Sequence, residues 1–193
     1  MMLRSDIINY YLDKMSSPKS YLEIGVRRKN ENFDLIRSDI KDGVDPCVKS
    51  RCNYTMTSDD FFSQNSKKYD LIFIDGLHSK EQVYKDIISS LKSLTKNGII
   101  IAHDCNPPKV RSQHLRFNGT VWQTIVGLRM EREDLEMFVI DTDCGVGIIK
   151  PNGTQKLFQC SENIYDYQIF SKYRKEALNM ISVDEFKKRE NII

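Results

Sequence analysis

With 193 residues, 40% of them apolar and 29% charged, the chain has the composition of a globular domain large enough to bury a core without disulfide or metal staples. Its 29 basic and 27 acidic residues leave a formal charge of +2, a balance that argues against nucleic acid or an anionic membrane as the main partner. No apolar run approaches bilayer length, Met1–Asp6 lacks the apolar stretch of an export signal, and five cysteines without a C-x-x-C pair read as free thiols, so the expected compartment is cytoplasmic.

In chain order, Ile7, Ile8, Tyr11, Leu12 and Met15 form a helical stripe over residues 5–15 that should pack on a sheet, and Ser16-Ser17-Pro18 ends it. Tyr21–Val26 is a short apolar strand that contains Gly25. A second strand ends at Gly43-Val44-Asp45-Pro46, and Tyr54-Thr55-Met56 is a candidate third. Tyr69–Asp75 is continuously apolar at its centre, as in a strand covered on both faces. Residues 80–95 form a helix with Val83, Ile87, Leu91 and Leu94 as its buried stripe. Ser79 and Gln82 form its capping box, and Gly98 stands where a left-handed cap would close it. Gly98–Asp104 is the next buried strand, parallel to Tyr69–Asp75 because a helix connects them. Val121–Leu128 reads as a helix, and Met137–Ile140 with Val146–Ile149 as an antiparallel hairpin turning near Asp143–Gly145. The stretch from Tyr165 to Arg189 reads as mostly helical.

The fold expected from this order is α/β: a Rossmann-like three-layer sandwich whose mostly parallel sheet is closed by a C-terminal antiparallel hairpin. One domain should span residues 1–193, with its core at about 20–150 and a helical tail at 160–193. Sheets of this kind bind ligands at the carboxyl ends of their strands. Polar residues gather at those ends: Glu23 and Gly25, Asp45, Ser58 and Asp59, Asp75 with His78, and His103 with Asp104. Gly25 lets a backbone approach a ligand closely. Asp45, 20 residues further on, stands where a carboxylate can bond a ribose diol. Singly, each reads better as a turn residue or a cap; together, in this strand order, they point to a bound nucleoside. The loop after Gly25 lacks the further glycines that a dinucleotide pyrophosphate requires, which excludes NAD.

Five segments in order, Leu22–Val26, Gly43–Pro46, Ser58–Phe62, Tyr69–His78 and Gly98–Asp104, resemble the motifs of class I S-adenosylmethionine-dependent methyltransferases. The nearest resemblance is to the branch known as the methyltransferase-24-type domain, over about residues 20–150. The resemblance implies that Glu23 and Gly25 line the methionine part of the cofactor, Asp45 holds the ribose hydroxyls, and Ser58 and Asp59 lie toward the adenine. The family's usual second glycine falls at Lys29, within Arg27-Arg28-Lys29-Asn30, so either the loop takes another path there or the cofactor binds differently.

Methyl transfer to a hydroxyl needs in-line approach and removal of a proton, so a base or a metal belongs beside the acceptor. Asp75, His78, His103 and Asp104 supply both kinds of group at two neighbouring strand ends. By resemblance to metal-dependent O-methyltransferases, Asp75 and Asp104 would bind Mg²⁺ or another divalent ion, Asp75 also bordering the cofactor, with His78 as base and His103 as its alternative. The polar loop 105–120 should cover the acceptor, with Phe117 and Trp122 as candidate stacking groups; core packing explains Trp122 equally well. The expected reaction is O-methylation of a hydroxyl on a small molecule or glycan. The alternatives are a catalytically degenerate cofactor-binding relative, suggested by Lys29, and methylation of another acceptor class. Neither nucleic acid nor membrane is an expected partner, and the oligomeric state, homo-oligomer included, stays open.

Overall fold

A computed structural model describes residues 2–192; Met1 and Ile193, the two ends of the expected domain, lie outside the described residues. Seven strands form one sheet: β1 (Ser20–Ile24), β2 (Ile40–Val44), β3 (Tyr69–Ile74), β4 (Leu94–Ala102), β5 (Leu135–Ile140), β6 (Val146–Pro151) and β7 (Met180–Ile181), in the spatial order β2-β1-β3-β4-β6-β5-β7. The first four run parallel, and β6 lies antiparallel to both β4 and β5, so the expected hairpin closes the sheet.

Alternation along the strands divides the core between two faces. Tyr21, Leu71, Phe73, Ile99 and Ile101 pack with Ile7, Ile8 and Leu12 of α1 (Arg4–Asp13) and Phe186 of α6 (Val183–Arg189). Leu22, Ile24, Ile72, Ile74, Ile100 and Ala102 belong to the opposite layer. That layer includes Phe61 of α2 (Ser58–Gln64), Val83 and Ile87 of α3 (Lys80–Ser93), Ile125 of α4 (Val121–Glu131) and Phe170 of α5 (Tyr167–Ala177). Burying each such side chain contributes about 1.5–3 kcal/mol, so the central strands, covered on both faces, hold the fold together. The result is the three-layer α/β sandwich read from the sequence.

Several local expectations are corrected. Leu94 opens β4, pairing with Tyr69, rather than closing the preceding helix. Gly98 is a residue of that strand, not a left-handed cap. A Cβ there would stand 2.9 Å from the Tyr69 carbonyl oxygen, at the point where the β3–β4 register shifts. Ser79 does cap α3, accepting from the Gln82 N–H at 3.3 Å. The Gln82 side chain, however, does not close the box but donates to Ser58 Oγ, Asp59 Oδ1 and Asp86 Oδ1 at 3.1, 2.9 and 3.0 Å. Tyr54 makes only an isolated bridge to Val44 in place of a third strand. The tail is interrupted by the two-residue β7, which pairs parallel to β5 and extends the sheet. Trp122 is fully buried with its ring centroid 4.0 Å from that of Phe170, so it is a core residue and not an acceptor platform.

Candidate active site

The carboxyl ends of β1–β4 open into one cavity of about 800 Å³. Its wall includes Glu23, Gly25, Asp45, Pro46, Thr57 and Ser58, from the ends of β1 and β2 and the start of α2, and Asp75, His78, His103, Asp104, Asn118 and Asp143, from the ends of β3 and β4 and the loops beyond. Side chains from strands and turns separated in sequence converge here because parallel strands all end on the same edge.

Gly25 makes the first turn possible. Its φ is +88°, and a Cβ would lie 2.2 Å from the Asp75 carbonyl oxygen, so β1 and β3 can end this close together only with glycine at this point. The chain then passes through Arg27 in the left-handed region at φ 48°, while Lys29 starts a short 3-10 turn at Lys29–Glu31. The strain that the sequence places at Lys29 therefore falls two residues earlier, and Asp45 stabilises it. Asp45 Oδ2 accepts from the Arg27 N–H and Oδ1 from the Cys47 N–H, both at 2.7 Å. Glu23 is buried, accepting from Tyr21 Oη–H at 2.5 Å and Asn32 Nδ2 at 2.9 Å. Burial raises its pKa to about 7 despite these two donors, and the Asp75 charge adds to the rise.

At the ends of β3 and β4, Asp75 Oδ1 and Asp104 Oδ2 each stand 3.4 Å from His78 Nε2 and 3.3 Å from His103 Nδ1. Burial would raise the Asp75 pKa, but the His103 charge and the close approach of both imidazoles outweigh it and hold it below the usual carboxylate range. Burial would lower both imidazoles; the Asp75 and Asp104 carboxylates outweigh it and raise them. His78 donates its Nδ1–H to the Phe117 carbonyl, which leaves Nε2 as the nitrogen facing the carboxylates. Asp75, His78 and Asp104 bring one ligand atom each within 4.8 Å of the others, a donor set that fits a divalent cation. His103 Nδ1 is buried beside them without a directed hydrogen bond to either carboxylate, a polar atom aimed into the same space.

The structure thus brings Glu23, Gly25, Asp45, Ser58, Asp75, His78, His103 and Asp104 to one cavity. Asp59 is the exception: half exposed, it bonds Gln82 and pairs with Lys85 at 3.2 Å, and the nearby cavity wall is made by Thr57 and Ser58 instead. From the loop after β4, Leu115, Arg116, Phe117 and Asn118 line the cavity, as expected of an acceptor cover. Three participants escape a sequence reading. Asp143, at φ 45° in the β5–β6 turn, lies 3.5 Å from His103 Nε2. Arg4, from the first turn of α1, reaches back to Asp143 at 3.2 Å. The Phe117 carbonyl orients His78 through the backbone, where no side chain signals it. The positive φ at Asp143 had a signal in the turn-forming run Asp143-Cys144-Gly145; the other two had none.

Residues 21–105 match a family described as a methyltransferase domain. Among curated proteins, none matches the sequence. A Podospora anserina methyltransferase bound to S-adenosylhomocysteine is 19% identical with a TM-score of 0.52, over 75% of this chain and 81% of its own. A Staphylococcus aureus protein described as a candidate caffeoyl-CoA O-methyltransferase is 18% identical with a TM-score of 0.51, over 69% of this chain and 76% of its own. The methyltransferase of the mycinamycin biosynthetic pathway, in complex with Mg, S-adenosylhomocysteine and mycinamycin VI, is 12% identical with a TM-score of 0.51, over 79% of this chain and 50% of its own. At these identities the likeness is one of fold.

Proposed function

We propose, from the premise that the chain carries a class I S-adenosylmethionine-dependent methyltransferase domain, that it methylates a hydroxyl oxygen on a small molecule or sugar. One observation carries this reading: a single cavity is lined both by Gly25 and Asp45, the residues proposed for a nucleoside, and by a cluster of two carboxylates and two imidazoles. A methyl donor held by Gly25 and Asp45 would supply the methyl group, and the carboxylates and imidazoles of the same cavity are the groups that can take a proton from an acceptor hydroxyl.

In this proposal Glu23 and Gly25 border the methionine part of the cofactor, Asp45 the ribose and Ser58 the adenine side. Asp59, turned toward Lys85, contributes from outside the cavity wall. Asp75 and Asp104 are the residues that would hold a divalent ion, which supplies positive charge beside the hydroxyl and so raises its acidity. The proton passes to one of the two imidazoles, His78 or His103. The mycinamycin-pathway relative is described with Mg bound, which supports asking the same of these carboxylates.

The test is calorimetry with S-adenosylmethionine, followed by measurement of S-adenosylhomocysteine release against a panel of sugars, catechols and other small alcohols. Binding together with turnover of a hydroxyl acceptor is expected. Turnover confined to amines or carboxylates would overturn the oxygen reading, and binding without turnover of any acceptor class would favour the degenerate relative.

A further inference from the structure

We propose that His78 is itself a metal ligand, through Nε2, and that the site therefore selects a borderline first-row ion of the Zn²⁺ and Co²⁺ class over Mg²⁺. This deepens the reading above and rests on its divalent ion at Asp75 and Asp104.

Three observations carry it. First, His78 Nε2 stands 3.4 Å from Asp75 Oδ1 and 3.4 Å from Asp104 Oδ2. Ligand atoms about 2.0–2.1 Å from a tetrahedral ion are roughly 3.3–3.4 Å apart, so an ion held by both carboxylates has this nitrogen within bonding reach. Second, the imidazole is set up as metal-binding imidazoles are: Nδ1–H is donated to the Phe117 carbonyl, fixing the ring and leaving Nε2 as the free lone pair. Third, His103 Nδ1 is 3.3 Å from the same two oxygens, belongs to a residue only 8% exposed, and makes a directed hydrogen bond to neither. It is ion-paired with both carboxylates but aligned with neither, so the cluster is not closed by its own hydrogen bonds.

Donor chemistry then decides the ion. Mg²⁺ favours six oxygens and keeps several of its waters, whereas imidazole nitrogen suits zinc and its neighbours. With His78 engaged as a ligand, His103 is the imidazole left to take a proton.

The experiment uses ion-stripped, full-length protein without cofactor or acceptor, so that binding is read apart from activity. Calorimetric titration with Zn²⁺, Co²⁺ and Mg²⁺ should give affinities for the first two roughly a hundredfold or more above the third. Because any mixed-donor site favours zinc to some degree, the decisive comparison is His78→Asp, which replaces nitrogen by oxygen. That variant should still bind ions, with its preference over Mg²⁺ reduced roughly tenfold or more. Pulsed EPR of the Mn²⁺-loaded native chain, with ordinary and with ¹⁵N-labelled histidine, needs no variant; it should detect a directly bound histidine nitrogen. An unchanged preference in His78→Asp, a nitrogen signal that survives in that variant, or no nitrogen signal in the native protein would each overturn the assignment. Absence of binding by every ion would overturn the divalent-ion reading with it, while leaving methyl transfer to be judged by the cofactor calorimetry and the release assay.

Discussion

Asp45 has two jobs at once, and they separate by measurement. Its carboxylate holds the N–H groups of Arg27 and Cys47, and it lines the cavity where the proposal places the ribose. Asp45→Ala should weaken S-adenosylmethionine binding by about 1.5–3 kcal/mol, the value of a charge-assisted hydrogen bond, and also lower stability by leaving two amides without an acceptor. Calorimetry reads the first effect and urea unfolding the second; unchanged cofactor affinity would mean the ribose lies elsewhere. NAD should give no comparable thermal shift. Glu23 offers a prediction in pH. Its folded pKa of about 7 lies above the ordinary 4.5, so between those values the folded state binds more protons than the unfolded one. Stability of the cofactor-free protein should therefore fall as pH rises from about 4.5 to about 7 and level off above, by about 3 kcal/mol for this group alone. Glu23→Gln keeps an acceptor for Tyr21 and Asn32 and removes the titration. The difference between variant and parent should grow in favour of glutamine from pH 5 to pH 8.5, and a difference independent of pH would show that Glu23 ionises freely in the fold.

Among the elements, the turn leaving β1 is the one whose sequence requirement is strictest. At φ +88° with the Asp75 carbonyl 2.2 Å from any Cβ, Gly25→Ala must either separate the ends of β1 and β3 or distort both. The left-handed conformation alone costs roughly 1–2 kcal/mol for alanine. With the contact added, the thermal midpoint should drop by at least about 4 °C, and a drop under 1 °C would mean that the turn relaxes freely. The elements most legible in sequence were those with continuous apolar runs: β1, β3, β4 and the β5–β6 hairpin carry enough Leu, Ile, Val and Phe to identify themselves. Boundaries and edges were less legible. Leu94 fits a helical stripe as well as it fits a strand, and only its pairing with Tyr69 decides between them. The two residues of β7 are too few to carry a period; they are strand because β5 has a free edge beside them. Trp122 illustrates the same limit, since burial against Phe170 depends on where α5 folds back, which no local pattern encodes.

For the molecule as a whole, the proposed division of labour within the cavity matters more than any one residue. The residues proposed for the cofactor were readable because they sit beside strand ends in fixed order; Arg4, Asp143 and the Phe117 carbonyl were not, because they arrive through tertiary folding from α1, a hairpin turn and a loop backbone. Under this proposal, the cofactor-binding residues and the carboxylate–imidazole cluster should fail independently. Asp104 lies 3.4 Å from His78, in the cluster proposed to act on the acceptor. Asp104→Asn should therefore abolish turnover yet leave S-adenosylmethionine affinity within a few fold of the parent. Stripping divalent ions should produce the same pattern in the unmutated chain: cofactor bound, methyl transfer lost, and activity restored when ion is returned. Removing a group that acidifies the hydroxyl acts on the transition state, so kcat should fall while cofactor binding stays level. The check pairs calorimetry with a turnover assay on the same ion-stripped sample, before and after Zn²⁺, Co²⁺ or Mg²⁺ is added. Full turnover in excess chelator would remove the ion from the reaction and leave an imidazole to act as base by itself; His78→Ala and His103→Ala, assayed under the same chelated conditions, would then identify which, with the essential base expected to cost about 10²–10⁴ in rate.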